Sequence, residues 1–222
     1  MTDVADHADA SRPPSQRREQ TRARLLDAAH DVFAEVGMDA ASVEAICERA
    51  GFTRGAFYSN FESKDELFLA LVTRLSEAKL DAVASRVQRL SADGPVDVSE
   101  LLGQLNAPFG EGMDPHLLTE IRVQALRDVR LADAFLTLQR RVLDRIEGFL
   151  EHIVATYGLT LRLSVAEAAR ILLDVSNETC TTAMLQGLGG DDVTAALRAR
   201  LDALIPALVA AGGERAFRDL AG

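Results

Sequence analysis

The chain has 222 residues, 48% apolar and 26% charged, with a net charge of −10 and two cysteines, Cys47 and Cys180. That composition supplies a packed core, offers no run of eighteen apolar residues to cross a membrane, and shows no apolar signal-peptide stretch in residues 1–10. Two cysteines so far apart build neither a disulfide framework nor a Cys-rich zinc site, and they suit a reducing cytoplasm.

Residues 1–15 read as a flexible arm, acidic at Asp3, Asp6 and Asp9 and basic from Arg12. Leu25, Leu26, Ala29, Val32, Phe33 and Val36 then make one helical stripe that Gly37 closes. Ser42 caps a short second helix, 43–50, ended by Gly51, and Thr53 caps a third over 54–60. Ser63 with Glu66 is a capping box that opens a long stripe from Leu67 to Leu90. At 1.5 Å per residue that helix is about 40 Å long, and the run 91–95 breaks it.

Five further helices are expected at 98–109, 115–129, 131–157, 165–188 and 193–211. Ser164 with Glu167 caps the fourth of these, and Pro206 predicts a kink or a split in the last. No alternating strand pattern stands out. The expected fold is all-α: a small N-terminal unit over 16–62, a larger helical unit over 63–213 and a tail over 214–222.

Charge is distributed unevenly. Residues 11–64 hold eight basic and eight acidic side chains, whereas residues 65–222 hold sixteen and twenty-three. The neutral N-terminal unit, with Arg12, Arg17, Arg18, Arg22 and Arg24 at its start, permits local contact with an anionic polymer that the acidic remainder repels.

Residues 42–61 have the layout of a helix-turn-helix. Cys47 is small enough for a close helix crossing, Gly51 tolerates the turn, and Ile46, Phe52, Phe57 and Phe61 anchor the pair inward. Arg54, Gly55, Tyr58 and Ser59 remain outward, as on a recognition helix in a major groove. A glycine inside an exposed helix costs about 0.5–1 kcal/mol against alanine. Close approach to DNA would explain Gly55, and so would tight packing on the first helix.

The run from Ile46 to Leu67, ICERAGFTRGAFYSNFESKDEL, resembles the DNA-binding domain of TetR-type transcriptional regulators, and the run from Thr21 to Gly37 is similar to their first helix. The likeness is strong over roughly residues 16–70. Ser42 stands where threonine is usual and Cys47 where alanine is usual. The resemblance implies phosphate contacts from Thr21, Ser42, Thr53, Tyr58 and Lys64, roles that hydroxyls and amides at helix starts suit. Arg54 and Ser59 are the candidates for base edges, since arginine reads guanine bidentately. The resemblance further implies a homodimer on double-stranded operator DNA, a small-molecule effector cavity in the larger unit, and the long fourth helix as a lever between them.

Two of these implications have their own sequence signals. Gly190, Thr194, Leu197, Leu201, Leu204, Leu208 and Ala211 repeat at a 4,3 spacing, the mark of a shallow-angle helix pairing. Leu197, Leu201, Leu204 and Leu208 are therefore candidates for the dimer interface, with core of the same chain as the other explanation. Phe109, Met113, Gln124, Phe149, Asn177, Thr181 and Met184 are candidates for the cavity lining. The stretch 176–182 is unusually polar for mid-helix, and burying such groups unpaired costs about 1–3 kcal/mol each.

Other function classes find less support. An enzyme needs convergent catalytic groups, and His7, His30, His116 and His152 show no metal-binding spacing. Neither a GxGxxG motif nor a P-loop is present, so no cofactor or metal is expected. A thiol-based redox sensor through Cys180 and a transcriptional activator are alternatives to a ligand-released repressor. Buried cysteine is usually a small hydrophobe, and the sign of regulation is set by operator position.

Overall fold

The computed structural model describes residues 14–92 and 115–210. It contains helices α1 (Pro14–Ala40), α2 (Val43–Ala50), α3 (Arg54–Tyr58), α4 (Lys64–Ala92), α5 (Pro115–Ala125), α6 (Val129–Tyr157), α7 (Val165–Leu185) and α8 (Gly190–Leu208). The all-α expectation holds. Among the described residues the one β feature is a single antiparallel bridge between Leu161 and Val209. The arm ahead of residue 14, the helix expected at 98–109, Phe109, Met113 and the tail lie outside the described residues.

Side-chain caps set the helix starts. Ser42 Oγ accepts the Ala45 N–H at 3.1 Å, and Thr53 Oγ1 accepts that of Ala56 at 3.3 Å. Ser164 and Glu167 form the expected capping box. Asp128 accepts the N–H groups of Arg130 and Leu131. Its claim on those donors explains why α5 stops at Ala125, short of the predicted 129, and why α6 begins at Val129. Gly37 breaks α1 as expected, at φ 76° and ψ 168°, and a further turn reaches Ala40. α3 is two residues shorter than predicted, with Ser59 as its C-cap. α8 runs unbroken through Pro206, which sits two residues from the helix end and so removes one late hydrogen bond.

One apolar core crosses the boundary predicted at 62/63. Leu25 and Phe33 of α1, Ile46 of α2 and Phe57 of α3 meet Leu67, Phe68, Leu71 and Val72 of α4. Leu117 and Ile121 of α5 and Leu131, Phe135 and Leu138 of α6 complete the same cluster. Phe33 and Phe68 meet edge to face at 5.1 Å. The first half of α4 therefore closes the N-terminal unit, and its second half packs on α6. A smaller cluster gathers Val83, Ile153 and Leu159 with Phe149 against it.

Most of the 4,3 stripe of α8 is covered within the single chain. Leu197, Leu201 and Leu208 are buried within the single chain, and Leu204 is half-buried. They seat α8 on α7. Leu197, Leu201 and Leu208 thus have little surface left for a second chain, while Leu204 keeps part of its own. Leu197→Ala is expected to lower stability by about 2–5 kcal/mol, read by urea denaturation. That loss should not depend on protein concentration, as loss of a subunit contact would.

Candidate nucleic-acid interface and effector cavity

The start of α2 and the outward face of α3 form one exposed surface. Ser42, Thr53, Arg54, Gly55, Tyr58 and Ser59 are all exposed on it. Ser42 and Thr53 accept backbone N–H bonds with their hydroxyl oxygens, which leaves each hydroxyl proton available for an outside acceptor. Thr21 is half-buried and donates to the Arg17 carbonyl at 2.9 Å. Ser59 Oγ donates to the Gly55 carbonyl at 2.9 Å. Arg54 lies over the Tyr58 ring at 5.8 Å and pairs with Glu44 of α2 at 2.7 Å. Tyr58, and then Glu44, push the pKa of this guanidinium further up. Both partners of the Arg54–Glu44 pair are more than half exposed. Such pairs contribute about 0–1 kcal/mol, so Arg54 can be redirected to another acceptor at little cost.

Gly55 separates the two explanations offered for it. A Cβ built there meets only Thr53 Oγ1 at 3.6 Å, an ordinary contact. Packing on α1 does not require this glycine.

Behind this face stand arginines that the sequence placed on the basic arm. Arg22 donates to the Asn60 carbonyl at 2.8 Å and stacks 4.1 Å over Phe61. Arg24 donates to the Ala50 carbonyl at 2.8 Å and stacks 4.6 Å over Phe52. Arg18 reaches the Ser59 carbonyl at 3.3 Å. Each cation sits at the carbonyl end of a helix, where charge and dipole agree. These arginines hold the helix-turn-helix on α1.

Lys64, expected at phosphate, also has internal work. Its ammonium donates to the carbonyls of Met38 at 2.7 Å and Ala41 at 2.9 Å. Two of its three donors are used there. From the opposite side, Glu120 of α5 accepts the Met38 N–H with both carboxylate oxygens, at 3.2 and 3.3 Å. Gln124, expected in the cavity, instead donates to Asp39 at 3.0 Å. Neither Glu120 nor Glu44 was singled out by sequence. The 3,4 register of the sequence gives no sign of contacts over eighty residues apart.

A cavity of about 110 Å³ lies between α4, α5, α6 and α7. Ser76, Lys79 and Leu80 come from α4, and Leu118, Thr119 and Arg122 from α5. Phe135, Leu138, Gln139 and Val142 line it from α6; Leu173, Ser176, Asn177, Cys180 and Thr181 line it from α7. Of the expected residues, Asn177 and Thr181 are brought to the cavity. Phe149 packs in the small second cluster, and Met184 is not in the lining. Lys79 was missed, although a lysine inside the apolar stripe between Leu75 and Val83 is a visible signal. Burial pushes its pKa down from 10.5 to about 8. Burial likewise pushes the Cys180 thiol up, away from the thiolate that a reactive sensor needs.

Comparison with known proteins follows this geometry. Residues 25–71 match the family described as bacterial regulatory proteins, tetR family. An HTH-type transcriptional regulator of Mycobacterium tuberculosis is 33% identical over 123 residues, which are 55% of this chain and 62% of that relative, under two thirds of its length. The structure of SmeT, the repressor of the Stenotrophomonas maltophilia multidrug efflux pump SmeDEF, is 28% identical, covers 86% of this chain and 91% of its own, and superposes with a TM-score of 0.59. A TetR-family regulator from Mesorhizobium loti shares the fold at a TM-score of 0.69 and 20% identity, over 87% of this chain and 99% of that one. Among the described residues, no helix is long and apolar enough to cross a membrane.

Two stability measurements check these placements. Gly55→Ala should leave the fold intact and raise its stability by about 0.5–1 kcal/mol, read from thermal melts. For Lys79, the folded pKa of about 8 lies below the ordinary value of 10.5. The folded chain therefore holds this proton less tightly than the unfolded one. The cost of burying the ammonium is complete below pH 8 and vanishes as pH rises to 10.5, so stability rises across that window. Lys79→Met should be more stable than the parent at pH 7, by on the order of 1–3 kcal/mol, and the two should converge by pH 10.5 in urea titrations.

Proposed function

We propose, from the premise that the chain belongs to the TetR family of bacterial transcriptional regulators, that it is a repressor binding an inverted-repeat operator as a homodimer and released by a small, mostly apolar effector. The observation that carries the DNA reading is the exposed α3 face around Gly55, whose missing side chain the chain itself does not require. Arg54 reads a base edge there, while Ser42, Thr53 and Tyr58 surround it as phosphate contacts. SmeT, which is named as a repressor, supports the sign of regulation. The units that carry these roles are the N-terminal helices with the first half of α4, and the helical remainder.

The dimer face is the outer side of α7 and α8. Glu178, Thr182 and Gln186 of α7 and Ala196, Ala199 and Arg200 of α8 line a groove there. Its small residues admit a partner helix closely, and a two-fold axis makes the patch self-complementary. The effector occupies the cavity walled by α4 and α5, the two helices that also hold the end of α1. It releases DNA by binding the non-DNA conformation more tightly. Tenfold loss of operator affinity requires about 1.4 kcal/mol of such coupling.

Selection from a random duplex library, followed by titration of variants, tests the reading. The parent should recover an inverted repeat whose half-sites lie about 34–36 Å apart, or one further turn. Arg54→Ala should relax discrimination at one position by roughly 1–3 kcal/mol, and Gly55→Ala should weaken all sequences despite its added stability. An Arg54→Ala protein with unchanged sequence preference would overturn the base-reading role. Ala199→Arg should sediment as a folded monomer with operator affinity lost.

A further inference from the structure

The cavity between α4, α5, α6 and α7 presents a single amine to a small, mostly apolar space. Lys79 lines it from α4, with Leu80 beside it, and Phe135, Leu138 and Val142 supply much of the α6 wall. Burial brings the pKa of that amine to about 8, so about one molecule in ten carries it neutral at pH 7, against roughly one in three thousand for an ordinary lysine. A lysine desolvated in an apolar pocket is the usual setting for attack on a carbonyl group. Cys180, in the same lining, is pushed the other way by burial and keeps its proton. The nucleophile of this cavity is therefore the amine and not the thiol. Lys79 is not without a partner in the chain, and attack does not need it free. A neutral amine attacks with its lone pair and keeps N–H groups to donate.

On the reading of this cavity as the effector site, we propose that the effector is a short-chain aliphatic aldehyde, captured by Lys79 as a Schiff base. The volume of about 110 Å³ lies below the roughly 150 Å³ that admits benzene in an engineered cavity. Rings are excluded, and the occupant is limited to about four heavy atoms. So small a molecule makes few contacts, and its non-covalent affinity is low. A reversible covalent bond to one buried amine supplies what contact area cannot.

The step balances without an oxidant or reductant. The nitrogen lone pair bonds to the carbonyl carbon, the carbonyl oxygen gains a proton as the nitrogen loses one, and a carbinolamine results. Its C–O bond then breaks, the hydroxyl leaves as water with the second nitrogen proton, and a C=N bond remains. Ser176 is buried in the same lining and donates its hydroxyl proton to the Leu172 carbonyl at 2.7 Å. Its oxygen is left as an acceptor for the carbinolamine hydroxyl and the departing water. Lys64, the other lysine of the chain, lies outside this cavity and is tied to the carbonyls of Met38 and Ala41.

The probes are propanal and butanal, incubated with the full chain at pH 7 and sodium cyanoborohydride, which reduces an imine to a stable secondary amine. Peptide masses then locate the alkylated lysine. Lys79 should be alkylated at least tenfold faster than Lys64, and the two rates should become equal in the chain unfolded by urea. Benzaldehyde, whose ring the cavity does not admit, should show no preference for Lys79. No excess of Lys79 over Lys64 in the folded chain, or a preference for Lys79 as large with benzaldehyde as with propanal, would overturn the proposal. Operator release is measured separately with a labelled duplex. Propanal should lower the operator affinity of the parent tenfold or more and leave that of Lys79→Arg, which keeps the charge but forms no imine, unchanged. Lys79→Met serves the same purpose should the arginine variant not fold. Selective capture at Lys79 with the operator still occupied keeps the Schiff base and removes the effector reading. Release of the operator by propan-1-ol, with no capture of propanal at Lys79, keeps the effector reading and overturns the Schiff base.

Discussion

The end of α1 is held from two sides by opposite charges, and the geometry of both sites depends on that grip. Gly37 breaks the helix with a positive φ that side chains avoid. The turn it creates exposes backbone groups that need partners. Lys64 takes the carbonyls of Met38 and Ala41, and Glu120 takes the Met38 N–H. Met38 itself is buried in the common core. The direction in which α2 departs, and hence the placement of α3, follows from how this short turn is seated. Charged hydrogen bonds at partly buried backbone are worth more than surface pairs, so the seat is firm without being covalent.

The same two helices serve both ends of the molecule. Lys64 and Lys79 are the only lysines in the chain, fifteen residues apart on α4 and so about 22 Å along its axis. One is spent on the α1 turn and the other on the cavity wall. On α5, Glu120 and Gln124 lie four residues apart on one face and reach α1, while Leu118, Thr119 and Arg122 face the cavity. In the proposed switch, a displacement of α5 by a cavity occupant would act on Met38 and Asp39 through Glu120 and Gln124. The sequence suggested α4 alone as the lever, because α4 alone is long enough to span both units. Length identifies a spanning element, but a short helix with two working faces transmits motion as directly.

Much of this was legible in sequence because it is local. Caps, C-terminal glycines and the 3.6-residue period are set by neighbours three or four positions away, and Ser42, Gly51, Thr53 and Ser164 sit where local rules put them. The helix-turn-helix was legible for the same reason. What the sequence could not give is which surface each stripe meets. The leucines of α8 declare a buried face without declaring whose chain buries it; for Leu197, Leu201 and Leu208 the same chain does. Arg22 and Arg24 declare positive charge, yet a helix C-terminus twenty-six to thirty-eight residues away takes them. Gln124 and Phe149 have the polarity and bulk of cavity residues and were turned elsewhere by helix rotation, which composition does not encode.

Two departures from local rules fall in the proposed sites. Gly55 is a poor helix former on an exposed helix with room for a Cβ. Lys79 is an ammonium in a mostly apolar wall, its pKa lowered by burial from 10.5 to about 8. Elsewhere among the described residues, helix starts are capped and arginines stack on aromatics, while Asn60 Oδ1 and Tyr157 OH lie buried without a hydrogen-bond partner. Natural sequences are locally consistent except where function opposes stability. Replacing Gly55 by alanine should strengthen the fold. For Gly55, where a Cβ has room, the proposed approach of DNA to the backbone of α3 is a use that packing does not supply.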